Sequence, residues 1–230
     1  EHMPLRQRSF RMQADARFYR GLTVGDLVQF NALDTRQYRS DQPCGDALQF
    51  PCPGMFDPAQ TMTGPDQEQW LMRGLSGSPA RWNVIAQQVM FAQFDFLAGP
   101  GQAFNMDQWD GYVAARQRIT SFLQAARPSN PIVLTGDIHS SWVHNLKADY
   151  ADITSAVVGT EFVGTSITSD FLPALVAPVL AALPDNPHTL FFDGLFRGYV
   201  RCVVDRTTWR TDFRPVPAIL ADQAEGFTLA

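Results

Sequence analysis

Short apolar runs that end in turn residues recur along this chain, and they constrain its fold more than any other feature. The runs are either continuous or alternate with a period of two residues, which indicates β-strands. The predicted strands are Leu27–Leu33, Trp82–Phe91, Ile132–Leu134, Ile153–Val158, Thr189–Phe192 and Arg197–Asp205.

Helical patterns lie between these strands. They cover Pro65–Leu75, Met106–Ala126 and Asp170–Leu183, with Asp170 as a candidate N-cap. Strands separated by helices favour a helix-covered sheet, whereas the carboxyl-terminal strands follow one another with short turns, as antiparallel strands do. The sequence therefore predicts a layered α/β domain with a mixed sheet, in which two Pro- and Gly-rich loops, Ser40–Gly64 and Gly99–Asn105, are candidates for a binding role.

Composition disfavours nucleic-acid binding and a membrane-spanning helix. With 230 residues and 45% hydrophobic content, the chain can bury a sizeable core, but its net charge of -5 and scattered Lys and Arg offer no basic stripe for nucleic acid. No run approaches the roughly 20 apolar residues of a membrane-spanning helix. The longest candidate, Phe171–Leu183, is interrupted by Pro173 and Pro178.

Two of the three cysteines lie close together. Cys44 and Cys52 share a loop rich in Gly, Pro and Asp, and Cys202 lies in a predicted strand. This arrangement indicates one short-range disulfide and one buried thiol, and hence an exported protein. A zinc site at Cys44 and Cys52 is the weaker alternative, because no second pair completes a tetrahedron.

Polar residues come immediately after one predicted strand, in the segment N-P-I-V-L-T-G-D-I-H-S-S-W from Asn130 to Trp142. Ligands in layered α/β folds gather at the carboxyl ends of strands, so Asp137 and His139 come at the usual position of a site. A carboxylate and an imidazole two residues apart can reach one metal cluster. The alternative, that Asp137 caps the next turn and His139 is a core histidine, is not decided by spacing.

Other polar residues near predicted strand ends have structural alternatives. Arg36 could bind a phosphate bidentately, or form an ion pair with Asp34 or Asp41. Helix capping accounts for Asn105 and Asp107 without any substrate. We expect structural roles for Gln87 and Gln88, as strand residues of alternating exposure, and for His2, His144 and His188.

A serine-hydrolase mechanism is disfavoured by the same segment. Ser140 and Ser141 do not lie in the G-x-S-x-G pattern of a nucleophile elbow. Asp137 and His139, adjoining in sequence, would also fit a catalytic triad poorly. We therefore expect the two serines to have structural roles.

Five segments in order resemble one known family. The segments are GDIHSSW, taken with LDTRQYRSDQPCGD, RWNVIAQQVM, NMDQWDGY and EFVGTSITS. Through them the chain resembles the PhoD-like alkaline phosphatases over nearly its whole length. The resemblance implies a secreted, periplasmic or cell-surface bacterial enzyme, exported by the twin-arginine route, that hydrolyses phosphomonoesters and phosphodiesters. It also implies a calcium and iron (Ca2+ and Fe3+) cluster, in which Asp137 suits calcium and His139 suits iron.

The family fold is a four-layer α-β-β-α sandwich of the metallophosphatase type. The resemblance implies that residues 1–230 are the carboxyl-terminal part of that domain and supply the second mixed sheet with its flanking helices. Cys44 falls in a surface loop of the family, so pairing with Cys52 is preferred to a role as a metal ligand. The extreme carboxyl end of the family domain is also expected to be missing.

The other metal ligands of the family precede the run that begins at Glu1. They include aspartates, an asparagine, a tyrosine and a cysteine. We therefore expect an incomplete site in this chain, with an amino-terminal half or a second copy as partner and a phosphoester as substrate. The alternative is a non-catalytic structural or interaction module derived from a phosphatase.

Overall fold

A seven-stranded mixed sheet forms the centre of the structure, a computed structural model that describes residues 17–219 and 225–230. Its strands lie in the order β1-β2-β4-β6-β8-β7-β9, and β2, β4, β6 and β8 run parallel to one another. The edge strands β1 and β9, and β7 beside β9, are antiparallel to their neighbours. The bounds are β1 Arg20–Val24, β2 Val28–Ala32, β4 Trp82–Ala86, β6 Pro131–Thr135, β7 Ser141–Lys147, β8 Val157–Val163 and β9 Thr189–Asp193, with the small pair β3 Leu48–Gln49 and β5 Phe104–Asn105 outside the sheet.

Three helices cover one face of this sheet: α1 Gly64–Ser76, α2 Val113–Ala126 and α3 Pro173–Ala182. Apolar residues of α1 and α2, such as Leu71 and Ile119, are buried in one cluster with Ile85 and Val133 of the sheet. Helix α3 packs nearby, where Val179 contributes to a second cluster with Trp142, Val163 and other residues. Burial of these side chains, at about 1.5–3 kcal/mol each, is what joins the helices to the sheet.

A β-hairpin lies on the other face. Its strands, β10 Arg197–Val204 and β11 Trp209–Val216, pair antiparallel, and the Trp209 ring packs 5.7 Å from the Trp82 ring. Trp82 Nε1 also donates to the Asp205 carbonyl at 2.7 Å. Beside this contact Phe30, Leu134 and Phe162 stay only partly buried, so the hairpin leaves this apolar face incompletely covered.

The two Pro- and Gly-rich loops meet each other. Strand β3 comes from the first and β5 from the end of the second, and the two pair antiparallel. Cys44 and Cys52 form a disulfide in the first loop, with their Cα atoms 5.9 Å apart, and Cys202 is an unpaired, half-buried thiol. The disulfide loop packs through Met55 against Phe104 and Met106.

Several predicted boundaries were wrong for physical reasons. The strand predicted at Trp82–Phe91 ends at Ala86, after which the buried side chains follow an irregular path. The strand predicted at Ile153–Val158 begins only at Val157, because Ile153 lies in an exposed turn (73% exposed) closed by Asp152. The helix predicted at Met106–Ala126 is a 3-10 turn, Trp109–Tyr112, followed by α2.

Asp170 does not cap helix α3. The residue before that helix is Leu172, and no side chain caps its first turn. The Asp170 carboxylate instead forms an ion pair with Arg197, at the start of β10. In the part of the chain that the structure describes, no helix is both long enough and apolar enough to cross a membrane.

Candidate functional site

The carboxyl ends of four parallel strands meet at one edge of the sheet, and polar residues follow each of them. Asp34 to Arg36 come after β2, Gln87 and Gln88 after β4, Asp137 to His139 after β6, and Thr165 after β8. Side chains at this edge face the crevice in which open α/β sheets bind ligands. The edge is therefore where a site is expected.

The turn after β6 has an unusual backbone. Asp137 and His139 both have positive φ angles, 72° and 61°, a region that residues other than glycine enter rarely, although Asp and His enter it more often than most. Such conformations cost of the order of 1–3 kcal/mol each and cluster at functional sites. Between them, the Ile138 side chain packs against the apolar cluster beneath, so the turn is fixed from inside.

The Asp137 carboxylate lies at the surface of this edge. Its Oδ1 is 3.4 Å from Arg36 Nη2, and its Oδ2 accepts a hydrogen bond from Gln108 Nε2 at 3.3 Å. Neither contact belongs to the following turn, so the alternative that Asp137 caps that turn is wrong. Both contacts are long for hydrogen bonds, and a carboxylate has further lone pairs, so the Asp137 carboxylate can still bind a cation.

The His139 ring is half-buried and held from one side. Its Nδ1 lies 3.2 Å from the Asp170 carbonyl oxygen, to which it donates, and Thr165 Oγ1 donates to the His139 carbonyl at 3.1 Å. His139 is therefore not the core histidine of the alternative interpretation. With its proton on Nδ1, the ring keeps the Nε2 lone pair for a metal.

Arg36 lies against Asp107. Its Nη1 and Nη2 contact the two carboxylate oxygens at 3.1 and 3.2 Å, a bidentate pair. The predicted ion pair with Asp34 or Asp41 was wrong, because the Asp34 carboxylate accepts the backbone N–H groups of Arg36 and Gln37 instead. The Arg36 side chain remains 43% exposed beside Asp137 and can accept another anion.

Asp107 holds three side chains of one loop. In addition to Arg36 it accepts from Arg39 Nη1 at 2.7 Å and from Gln42 Nε2 at 2.9 Å, so the capping role predicted for it was wrong. Burial alone would raise the pKa of Asp107, but the hydrogen bonds from Arg36, Arg39 and Gln42 outweigh it and place the pKa below its ordinary value. Asn105 accepts the Asp107 backbone N–H and fixes this turn.

The predicted difference in exposure between Gln87 and Gln88 is confirmed, since Gln87 is buried and Gln88 exposed, but the prediction that they belong to a strand was wrong. They lie beyond the end of β4, where Gln88 Oε1 accepts from the backbone N–H and the hydroxyl of Thr35 at 2.8 and 2.6 Å. Gln87 Nε2 donates to Thr135 Oγ1 at 2.8 Å. The pair therefore connects the turns after β2 and β6.

Glu161 is a further residue of this region, and sequence reasoning missed it. Its carboxylate is fully buried and accepts the backbone N–H groups of Phe91 and Ala92 at 2.8 Å each, together with the Thr135 hydroxyl. Burial raises its pKa to about 7, although these hydrogen bonds act against the rise. One signal was available, namely a single carboxylate in the otherwise uncharged strand β8.

The serines and the other histidines have structural roles. Ser140 accepts from Trp142 Nε1 at 2.7 Å, and Ser141 begins β7. His144 is fully buried, contacts Thr189 Oγ1 at 3.1 Å, and burial lowers its pKa to about 3. His188 Nε2 is 2.6 Å from the Gln93 carbonyl oxygen, and His2 lies outside the described residues.

Asp137 and His139 are two candidate ligands, and a metal site needs more. Within residues 17–219 and 225–230, no three His, Cys, Asp or Glu side chains form a group that could hold a metal ion. The donor types nevertheless fit a metal, since an exposed carboxylate and an imidazole with a free nitrogen come from one fixed turn. This edge of the sheet therefore carries two side chains of the types that bind metals.

Comparisons with known proteins agree on one family. The model of the PhoD-like phosphatase family matches residues 1–213. Alkaline phosphatase D of Bacillus subtilis (strain 168) is 44% identical over 220 residues, which is 95% of this chain and 38% of that protein. A solved structure titled "Structure of PhoD" superposes with a TM-score of 0.90 at 42% identity, over 99% of this chain and 44% of the other. The chain thus spans about two fifths of the length of these relatives.

Proposed function

Because this chain belongs to the PhoD-like phosphatase family, we propose that it supplies part of a metal-dependent site that hydrolyses phosphomonoesters and phosphodiesters. One observation carries the proposal. Asp137 and His139 resemble the late metal-binding motif of the family. Both side chains extend from one rigid turn at the carboxyl edge of the sheet, beside the exposed guanidinium of Arg36. The proposal is supported because two candidate metal ligands and a candidate phosphate-binding group lie close together.

The Asp137 carboxylate and His139 Nε2 would hold the metal ions. Calcium prefers carboxylate oxygens and iron accepts imidazole nitrogen, so the two side chains suit a calcium and iron cluster. Bound metal would activate a water-derived nucleophile and offset charge on the phosphate oxygens. The remaining ligands would come from outside the described residues.

Arg36 would bind the phosphate group of the substrate. Its guanidinium is oriented by Asp107 through two hydrogen bonds and remains exposed on the side of Asp137. A planar guanidinium can contact two phosphate oxygens at once. Gln108, which donates to Asp137, would keep that carboxylate turned toward the metal.

The complete enzyme would have the four-layer α-β-β-α sandwich of the metallophosphatases. The partly buried side chains Phe30, Leu134 and Phe162 support this, because they lie on the sheet face that the hairpin leaves incompletely covered. A second sheet from the remainder of a longer chain, or from another chain, would cover that face. The disulfide of Cys44 and Cys52 supports export to an oxidising compartment.

A chimaera tests the proposal. This chain would replace the matching part of Bacillus subtilis alkaline phosphatase D, and hydrolysis of 4-nitrophenyl phosphate and bis(4-nitrophenyl) phosphate would be measured with calcium and iron present. We expect hydrolysis of both esters. Asp137→Asn and His139→Gln should each lower kcat/KM at least about 100-fold, because each removes a metal ligand.

Two matched controls accompany these variants. Asp66→Asn changes an exposed carboxylate in the first turn of α1, and His188→Gln changes an imidazole at the opposite edge of the sheet. Both should retain the hydrolysis rate of the unmodified chimaera. A folded chimaera that hydrolyses neither ester, or Asp137 and His139 variants as active as the controls, would contradict the proposal.

A further inference from the structure

Arg197 lies beneath the segment that contacts His139. It is the first residue of β10, is 8% exposed, and its Nη2 forms an ion pair with the Asp170 carboxylate. The backbone carbonyl of the same Asp170 accepts the Nδ1 proton of His139 at 3.2 Å. A chain of two contacts thus leads from a buried guanidinium to the candidate metal ligand.

We propose that Arg197 and Asp170 are positioning residues that fix the tautomer and direction of the His139 ring. This inference rests on the proposed function, in which His139 binds metal through Nε2. A carbonyl oxygen can only accept a hydrogen bond, so the Asp170 carbonyl selects the ring form with its proton on Nδ1. That form leaves Nε2 unprotonated.

The Asp170 carbonyl needs an anchor of this kind. The Asp170 side chain is 71% exposed, and the residue does not belong to a helix or strand. Residues 164–172 are attached to their surroundings at Gly164, which donates to the Thr135 carbonyl, and at Ser166, whose carbonyl accepts from the Gly198 N–H group. Further attachments are the Thr165 hydroxyl, which donates to the Phe196 carbonyl, and the buried side chain of Phe171. The ion pair with Arg197 fixes the position of Asp170 itself.

Burial of the Arg197 charge is unfavourable in free energy, which a merely structural role does not explain. Among the described residues, its Nε and Nη1 atoms are buried without a hydrogen-bond partner. Burying a charge with donors unsatisfied costs free energy that an apolar residue at the same place would avoid. The benefit that offsets this cost is the fixed carbonyl of Asp170.

The test is the tautomer of His139 in the metal-free chain, measured from the 15N chemical shifts of its ring nitrogens by NMR. The chain has four histidines, so the His139→Gln variant identifies the signals. The unmodified chain should show the Nδ1–H form of His139. Asp170→Ala and Arg197→Met should each shift the population toward the Nε2–H form, and Arg197→Lys should restore part of the original signal.

Arg206→Met is the matched control, because it removes an exposed arginine that pairs with Asp26 far from His139. It should leave the His139 signals unchanged. In the chimaera, the Asp170 and Arg197 variants should also reduce metal affinity about 10- to 100-fold, as loss of a group that orients a metal ligand typically does.

The tautomer readout does not depend on catalysis. If Asp170→Ala, whose side chain is exposed, and Arg197→Met both leave the His139 tautomer unchanged, the positioning role is wrong even where the chimaera hydrolyses phosphoesters. A shifted tautomer in a chimaera without hydrolysis would instead retain the positioning role and overturn the proposed function.

Discussion

At the scale of single residues, the site edge is a set of charges that orient one another. Asp107 accepts from Arg36, Arg39 and Gln42, and Arg36 in turn faces Asp137. The contacts of Asp107 are 2.7 to 3.2 Å long, whereas Arg36 lies 3.4 Å from Asp137. Because most of these groups are partly exposed, the contacts contribute little to global stability. Their consequence is that the Arg36 guanidinium is held beside Asp137, where in the proposed site it would bind a phosphate.

Replacing Arg36 by Lys should lower kcat/KM for phosphoester hydrolysis by the chimaera about tenfold, the effect of losing one charge-assisted hydrogen bond. A lysine keeps the charge but cannot reproduce the bidentate geometry. Metal content, measured in parallel, should not change. Arg73→Lys on the exposed surface of α1 is the control, and equal kinetics of the two variants would rule out phosphate binding by Arg36.

The buried carboxyl of Glu161 should make stability depend on pH. Its folded pKa, about 7, lies above the ordinary value of 4.5, so the folded state keeps a proton that the unfolded state releases. The stability of the unmodified chain relative to Glu161→Gln should therefore fall as pH rises from about 4.5 to about 7, by up to about 1.4 kcal/mol per pH unit. Urea unfolding at a series of pH values measures this difference.

His144→Asn provides a comparison of opposite sign. Burial holds the pKa of His144 at about 3, below its ordinary value of 6.5, so only the unfolded chain takes up this proton as pH falls. The stability of the unmodified chain relative to His144→Asn should therefore rise between about pH 3 and 6.5. Slopes of the same sign for both variants would show that these two groups do not determine the pH dependence.

At the scale of elements, the loop Ser40–Gly64 joins the site to the rest of the fold. It begins next to Arg39, is closed by the Cys44–Cys52 disulfide, and packs through Met55 on the segment that carries Asp107. Both fixed points follow Arg39 in the chain, so they restrain the segment that carries Arg39 and Gln42 from its carboxyl-terminal side. The disulfide thus acts on the site through Arg39 and Gln42.

Replacing both cysteines by serine should lower the free energy of unfolding by about 2–3 kcal/mol. The estimate follows from the entropy of closing a short loop, here with a sequence separation of 8 residues. Urea unfolding without reductant measures it, with Cys202→Ser as the control that leaves the loop closed. Alkylation of the denatured, unreduced chain should modify Cys202 alone, and modification of three thiols would show that the disulfide is absent.

Elements were predictable from the sequence where the pattern is local. The strands β2, β6, β9 and β10 and helix α1 lie close to their predicted positions, because apolar periodicity determines them. Helices α2 and α3 lie within their predicted ranges but begin later, at Val113 and Pro173. Strand β7 was missed although Trp142, His144 and Leu146 alternate as buried residues. The polar residues of GDIHSSW were interpreted as one loop, and β7 begins inside that motif.

The site was predictable only in part for the same reason. Placing Asp137 and His139 after a strand requires a local pattern alone, and the structure places both at the carboxyl edge of the sheet. The partners of Arg36 are 71 and 101 residues away in sequence, so no spacing rule could identify them. The role of Glu161 could not be predicted either, because its contact with Thr135 forms only when β8 lies beside β6.

At the scale of the whole molecule, the chain is a layered α/β fold in which one face of the sheet is covered and the other is only partly covered. Helices bury the first face, whereas Phe30, Leu134 and Phe162 on the second remain partly exposed beside the hairpin. The chain also spans 38% of its curated relative and 44% of the matching solved structure. Both observations support the proposal that residues outside the described part would complete the site.

The most direct test of this account is the metal content of the chimaera, measured by elemental mass spectrometry after removal of loosely bound ions. We expect calcium and iron in the unmodified chimaera and in Asp66→Asn, and loss of metal in Asp137→Asn and His139→Gln. Metal bound equally by all four proteins would contradict the assignment of Asp137 and His139 as ligands.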